Sequence, residues 1–419
     1  MTGALARRLG TGDAVVIGLG SMIGAGVFAA FGPAALAAGS GLLLGLAIAA
    51  VIAYCNATAS AQLAAVYPTS GGTYVYGRER LGDWWGFTAG WGFVVGKTAS
   101  CAAMAVTIGA YAVPGPQWAQ RLVGIAAVLL ITAVNYRGIT RTARLAAILV
   151  AGSLTALAVV IAVGVSGDAT DTARLVDFPG PCGVYGILQS AGLLFFAFAG
   201  YARIATLGEE VRDPRRTIPR AIPFALAITV AVYLAVGVTA LLAAGPDALA
   251  HSGSPLTTAV DAAGSGWAAP VVRIGAVLAA AGSLLALVAG VGRTTLAMAR
   301  NRDLPGWLAG VHPRFSVPHR AELVVAAVVI LLVATVDLRG VIGFSSFGVL
   351  IYYGIANASA FTQRGPDRRW PRWLNVLGLV GCAVLVVTLP LWSVLAGAVM
   401  FGIGLLGRWV VTRQRAAAS

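Results

Sequence analysis

Four glycines, Gly18, Gly20, Gly24 and Gly26, fall within nine residues of the segment Gly18-Leu19-Gly20-Ser21-Met22-Ile23-Gly24-Ala25-Gly26-Val27-Phe28, in the middle of a stretch without charge. Each glycine costs a helix about 0.8–1 kcal/mol relative to alanine, so the cluster favours local unwinding of a membrane helix. Unwinding frees N–H and C=O groups that hydrocarbon cannot satisfy, and these must face a cavity or a polar ligand. The N-terminus of a half-helix offers donors to a carboxylate, while freed carbonyls accept from an ammonium, so a zwitterionic amino acid fits both. Close helix packing through small residues is the competing explanation. A second segment, Phe195-Phe196-Ala197-Phe198-Ala199-Gly200-Tyr201, favours unwinding, because matched interruptions in two halves of a membrane protein point to a binding site.

Lys97 is the only lysine of the chain and stands near the middle of an apolar stretch. An ionisable residue at that depth is a candidate for function, either exchanging a proton during the cycle or standing in for a bound cation; snorkelling toward the nearer edge is the alternative. Cys101 lies one turn further on the same helix face, as a pocket wall or as packing. Arg203 follows the second glycine break by one turn, where it either links to Glu209 or Glu210 or forms an inner gate. Cys55, Cys101, Cys182 and Cys382 are scattered, without the close spacing of a metal site or a disulfide framework. The histidines, His251, His312 and His319, fall in expected loops, so no cluster of nucleophiles, acids or metal ligands suits a membrane-embedded enzyme, and no charged ring suits a channel.

Those residues must be positioned by a bilayer-spanning body. Of the 419 residues, 58% are apolar and 11% are charged, with 54 glycines and a mean hydropathy of +0.86. A soluble domain carries about 25% charged residues, which excludes a soluble enzyme and a disordered chain. Twelve spans are expected, at about residues 14–37, 42–66, 86–112, 121–136, 143–165, 184–207, 220–244, 270–298, 321–336, 340–361, 373–388 and 391–409, each of about 20 residues. The first two come from one long run divided at Ala38-Gly39-Ser40-Gly41, and the first reads as a span rather than a cleaved signal. On this division 23 of the 29 Lys and Arg residues lie on the side of the N-terminus. Arg121, Arg174, Arg273 and Arg339 lie opposite, and Lys97 and Arg203 lie within spans. Both termini are therefore expected in the cytoplasm, and the net charge of +14 reports topology rather than nucleic-acid binding.

The two glycine segments, with the continuation Glu209-Glu210-Val211-Arg212-Asp213-Pro214-Arg215-Arg216-Thr217-Ile218-Pro219-Arg220-Ala221-Ile222, resemble the amino acid/polyamine/organocation (APC) transporters over nearly the whole chain. The resemblance implies an all-α, LeuT-like fold: spans one to five (residues 1–165) and six to ten (180–362) as inverted repeats, with spans eleven and twelve (373–410) appended to one transmembrane domain. It implies alternating access, with spans one, two, six and seven moving against the rest. The amides of Gly24, Ala25 and Gly26 would then hold the substrate carboxylate. Carbonyls near Met22, Phe196, Ala197 and Ala199 would take its amine, in a site completed by Ile23, Gly200 and Cys101. Phe196, Phe198 and Tyr201 become gates or pocket walls, with simple packing as the alternative.

Two positions depart from the family pattern. The acid that often follows the aromatic of span six is Ala202 here, and the span-five lysine of some sodium-independent relatives is absent from Leu145 to Leu157. A sodium site in this fold draws on span-eight hydroxyls, of which Ser283 is one, and this leaves the coupling ion open. No Asp or Glu falls in a span core, so a cationic side chain at midplane lacks a counter-charge. The expectation is a secondary active transporter of the cell membrane, without cofactor, that moves a small neutral amino acid by proton coupling or exchange. The alternative is a cationic amino acid or polyamine antiporter.

Overall fold

The computed structural model describes residues 9–68, 71–137, 143–167, 170–176, 183–205 and 211–418. Among them every regular element is helical, and an isolated bridge joins Leu9 to Val211. The helices are α1 (Thr11–Met22), α2 (Ala25–Ala29), α3 (Phe31–Ala38), α4 (Leu42–Val66), α5 (Thr73–Leu81), α6 (Asp83–Ala112), α7 (Gln117–Tyr136) and α8 (Ala143–Ser166). After them come α9 (Gly183–Phe198), α10 (Ala202–Ala205), α11 (Pro214–Ala250), α12 (Pro255–Ala262), α13 (Ala269–Arg300), α14 (His319–Thr335), α15 (Leu338–Phe361), α16 (Arg372–Thr388) and α17 (Leu391–Ala418).

Ten helical segments among the described residues are long and apolar enough to cross a membrane. The apolar helices α14 and α16 are shorter, at 17 residues each. The turn expected between the first two spans is present: Gly39 takes φ +54°, which a side chain would oppose, and Gly39–Gly41 form a 3-10 turn before α4. Expected and observed helix ends agree to within a few residues until α11, which begins at Pro214 and runs past its expected end to Ala250. Gly245, at φ +74°, kinks its last turns.

α6 and α15 are the most enclosed of the long helices, while α7 and α17 face largely outward. Their outer faces carry Leu130, Val399, Ile403 and Leu406, each more than half exposed, a surface that water would penalise and lipid accepts. Glycines let the interior helices meet backbone to backbone: a Cβ on Gly96 would lie 3.0 Å from the Ser345 carbonyl oxygen, and one on Gly348 2.7 Å from that of Gly92. The packing partners recur in pairs. α4 packs on α9 as α11 packs on α1 and α3; α6 on α15 as α13 on α8; α4 on α15 as α11 on α8; and α6 and α13 pack on each other.

One expectation needs correction. The sixth span was expected to unwind, yet Ala199–Tyr201 tighten into a 3-10 turn that leads directly into α10. Glu322, in the first turn of α14, is 2% exposed, beneath Gly292.

Candidate substrate site at the crossing of two interrupted helices

α1 stops at Met22 because the next residues leave helical geometry: Ile23 has φ −79° and ψ 63°, and Gly24 has φ −112° and ψ −147°. The Ile23 N–H still donates to the Leu19 carbonyl at 2.7 Å, and the Gly24 N–H closes a three-residue turn onto Met22 at 2.8 Å. α2 then starts afresh, so the N–H groups of Ala25 and Gly26 stand in a first turn without partners four residues earlier.

Steric room explains the glycines. A Cβ on Gly24 would lie 2.2 Å from Ser283 Oγ of α13; one on Gly26, 2.5 Å from Ala197 Cα; and one on Gly200, 2.1 Å from the Ser21 carbonyl oxygen. The last two contacts are reciprocal, since the break in each helix presses on the other. Both explanations offered by the sequence, an interruption and close packing, therefore apply at once.

Side chains from three other helices serve the carbonyls at the crossing. Tyr233 of α11 places its hydroxyl 2.5 Å from the Met22 carbonyl and 3.1 Å from that of Ala197. Its single proton serves one of them at a time. The Ala199 carbonyl accepts from Lys97 Nζ at 3.2 Å and from the Tyr353 hydroxyl at 3.1 Å. Lys97, 7% exposed, belongs to none of the ion pairs among the described residues. Its ammonium thus rests on the backbone of the second interrupted helix, where the sequence reading had placed a substrate amine. Tyr233 and Tyr353 were not singled out from the sequence, although a buried tyrosine hydroxyl in an apolar helix needs a polar partner.

The other expected site residues divide. Cys101 and Phe196 are buried in one cluster with Ala25, Leu193 and Ala280. Phe198 packs against Tyr233 with ring centroids 5.1 Å apart, and Tyr201 against Tyr353 at 4.9 Å. Ser283 is 5% exposed, and its hydroxyl has no hydrogen-bond partner among the described residues. Ile23 is buried at the break. Arg203, in contrast, is exposed. Glu209, Glu210 and Cys182 lie outside the described residues.

An all-helical membrane body with polar backbone groups gathered where two interrupted helices cross defines a multi-pass membrane transporter. Residues 9–403 match the family described as amino acid permease, and the chain belongs to that family, within the APC superfamily. A protein named as an uncharacterized transporter of Mycobacterium tuberculosis is 62% identical over 413 residues, covering 98% of this chain and 93% of the relative. The branched-chain amino acid permease BcaP of Bacillus subtilis is 26% identical over 440 residues, covering 98% and 94%. The chloroplastic cationic amino acid transporter 7 of Arabidopsis thaliana is 28% identical over 441 residues, covering 96% and 75%.

Proposed function

We propose that this amino acid permease is a secondary active transporter that carries a small neutral amino acid across the cell membrane by alternating access, coupled to protons or to exchange. The observation that carries the reading is the crossing itself. First-turn amides of Ala25 and Gly26 suit a carboxylate, carbonyls of Met22 and Ala197 suit an ammonium, and no Asp or Glu stands among the crossing residues to hold a charged side chain. Lys97 on the Ala199 carbonyl supplies a fixed cation at the same depth, which suits a carrier that replaces a bound metal cation with a protonatable side chain. The branched-chain permease among the relatives agrees with a neutral substrate. The cationic transporter among them keeps the alternative of a basic amino acid or polyamine in view.

The remaining parts of the reading are proposals of the same kind: twelve spans, both termini in the cytoplasm, and a LeuT-like pair of inverted five-span repeats followed by two further helices. The recurring packing partners support the repeat. Exchanging spans one to five with six to ten turns the α4–α9 contact into that of α11 with α1 and α3, and α6–α15 into α13–α8. The test is counterflow in proteoliposomes loaded with a panel of unlabelled neutral, acidic and basic amino acids and polyamines. Exchange with a few neutral amino acids supports the reading. Exchange confined to ornithine, arginine or putrescine overturns the choice of substrate, and linear, unsaturable flux overturns the carrier.

A further inference from the structure

Tyr111 stands in the last turn of α6, the third long crossing of the chain, and so at the opposite end of the body from Thr11. One oxygen there ties three helices together. The Tyr111 hydroxyl donates to the Phe28 carbonyl of α2 at 2.8 Å and accepts from the Leu256 N–H of α12 at 3.2 Å. All three residues are buried, and the Tyr111 and Phe28 rings meet edge to face with centroids 5.9 Å apart.

Each partner depends on that oxygen. Pro255 has no N–H, so the Leu256 amide is the first of α12, and the side chain of Ser254 at the N-cap makes no capping bond. The cap that a helix ordinarily draws from its own N-cap residue comes from α6 instead. α2 is five residues long: its first turn carries the amides of Ala25 and Gly26, and its Phe28 carbonyl is held by Tyr111. Above the crossing, residues 22–35 are all buried, and α12 packs on α2, α8 and α13. Gly32 lets α3 close on the turn before α12, since a Cβ there would lie 3.1 Å from the Leu249 carbonyl oxygen. This side of the crossing is thus shut by α2 and α12, and a single side chain of α6 is bonded to both.

We propose that Tyr111 is a positioning residue for transport: its hydroxyl holds α2 and α12 closed over the outer side of the substrate site and must release one of them before substrate enters from outside. The inference rests on the alternating-access reading and topology above. In Tyr111→Phe the Phe28 carbonyl and Leu256 N–H lose their partner where they are buried, but both meet water once α12 lifts, so the balance moves toward the open form. The test uses the full-length protein in intact cells with Thr257→Cys as reporter. Thr257 is 2% exposed on α12, and its hydroxyl has no hydrogen-bond partner among the described residues, so the change is mild. A membrane-impermeant maleimide is applied outside, and the labelled site is identified by peptide mass spectrometry. Tyr111→Phe should speed labelling at position 257 about ten-fold, the worth of one to two neutral hydrogen bonds. A Cβ on Gly253 would lie 3.9 Å from that of Ala110, a spacing that suits a disulfide. Gly253→Cys with Ala110→Cys, oxidised, should therefore return labelling in Tyr111→Phe to the wild-type rate. The same cross-link should suppress the slower labelling that Tyr111 itself permits, which keeps the test open if Tyr111→Phe fails to fold. Equal labelling with tyrosine and phenylalanine overturns the proposal. Faster labelling that the cross-link leaves unchanged also overturns it, because it marks general loosening. Labelling needs no substrate, so this result and the counterflow result can fail independently.

Discussion

Replacing Lys97 by methionine separates the stability of the crossing from its coupling. The lysine ammonium is buried, and among the described residues its hydrogen bond goes to the Ala199 carbonyl at 3.2 Å. Losing a hydrogen bond to a charged group costs about 1.5–3 kcal/mol. The carbonyl is not orphaned, because Tyr353 still donates to it at 3.1 Å. Removing an uncompensated buried charge recovers several kcal/mol of desolvation, and methionine keeps most of the volume. The balance favours the variant by about 1–2 kcal/mol, a rise of a few degrees in the unfolding midpoint. Adding Tyr353→Phe removes the second donor, so the pair of changes should cost about 1–3 kcal/mol more than their separate effects suggest. In proteoliposomes Lys97→Met should keep substrate exchange and lose accumulation driven by a pH gradient. A variant that unfolds several degrees earlier refutes the energetic reasoning. Full gradient-driven accumulation in Lys97→Met or Lys97→Ala refutes the role of Lys97 in coupling.

Other changes probe the crossing and its surroundings. Gly200→Ala sets a Cβ against the backbone of Ser21 and Met22, which cannot rotate away, so a loss of about 2–3 kcal/mol in thermal unfolding and loss of counterflow are expected; an alanine variant with wild-type stability would show that the helices separate freely there. Tyr233→Phe removes the hydroxyl shared by Met22 and Ala197 and should lower stability by about 1–2 kcal/mol while raising the KM for uptake, whereas an unchanged KM would detach this hydroxyl from the substrate site. Asp303→Asn leaves Arg408 buried without its counter-ion and should destabilise by about 3–5 kcal/mol, measured by thermal unfolding, with an effect below 1 kcal/mol marking the pair as solvated.

Much was legible from local composition. Charge-free runs placed the long helices to within a few residues, since a charge in hydrocarbon is costly wherever the chain later folds. Gly39 announced its turn, and the glycines of Gly18–Gly26 announced the break at Ile23 and Gly24. The 3-10 turn of Ala199–Tyr201 was less legible: one glycine among aromatics marks an irregularity, but whether it opens or tightens depends on Gly200 meeting Ser21. The burial of Glu322 was not legible, because it comes from α13 packing over it, which nothing near residue 322 reports.

What the sequence determined by itself is a membrane body, its helical segments and the two segments where helices are disturbed, all consequences of each residue's preference for water, lipid or helix. What only the tertiary structure decided is how the disturbed segments are satisfied. Lys97 reaches a carbonyl 102 residues away, and Tyr233 one 211 residues away. Such pairings leave no local signature, because a buried carbonyl demands a donor without specifying which helix will bring it.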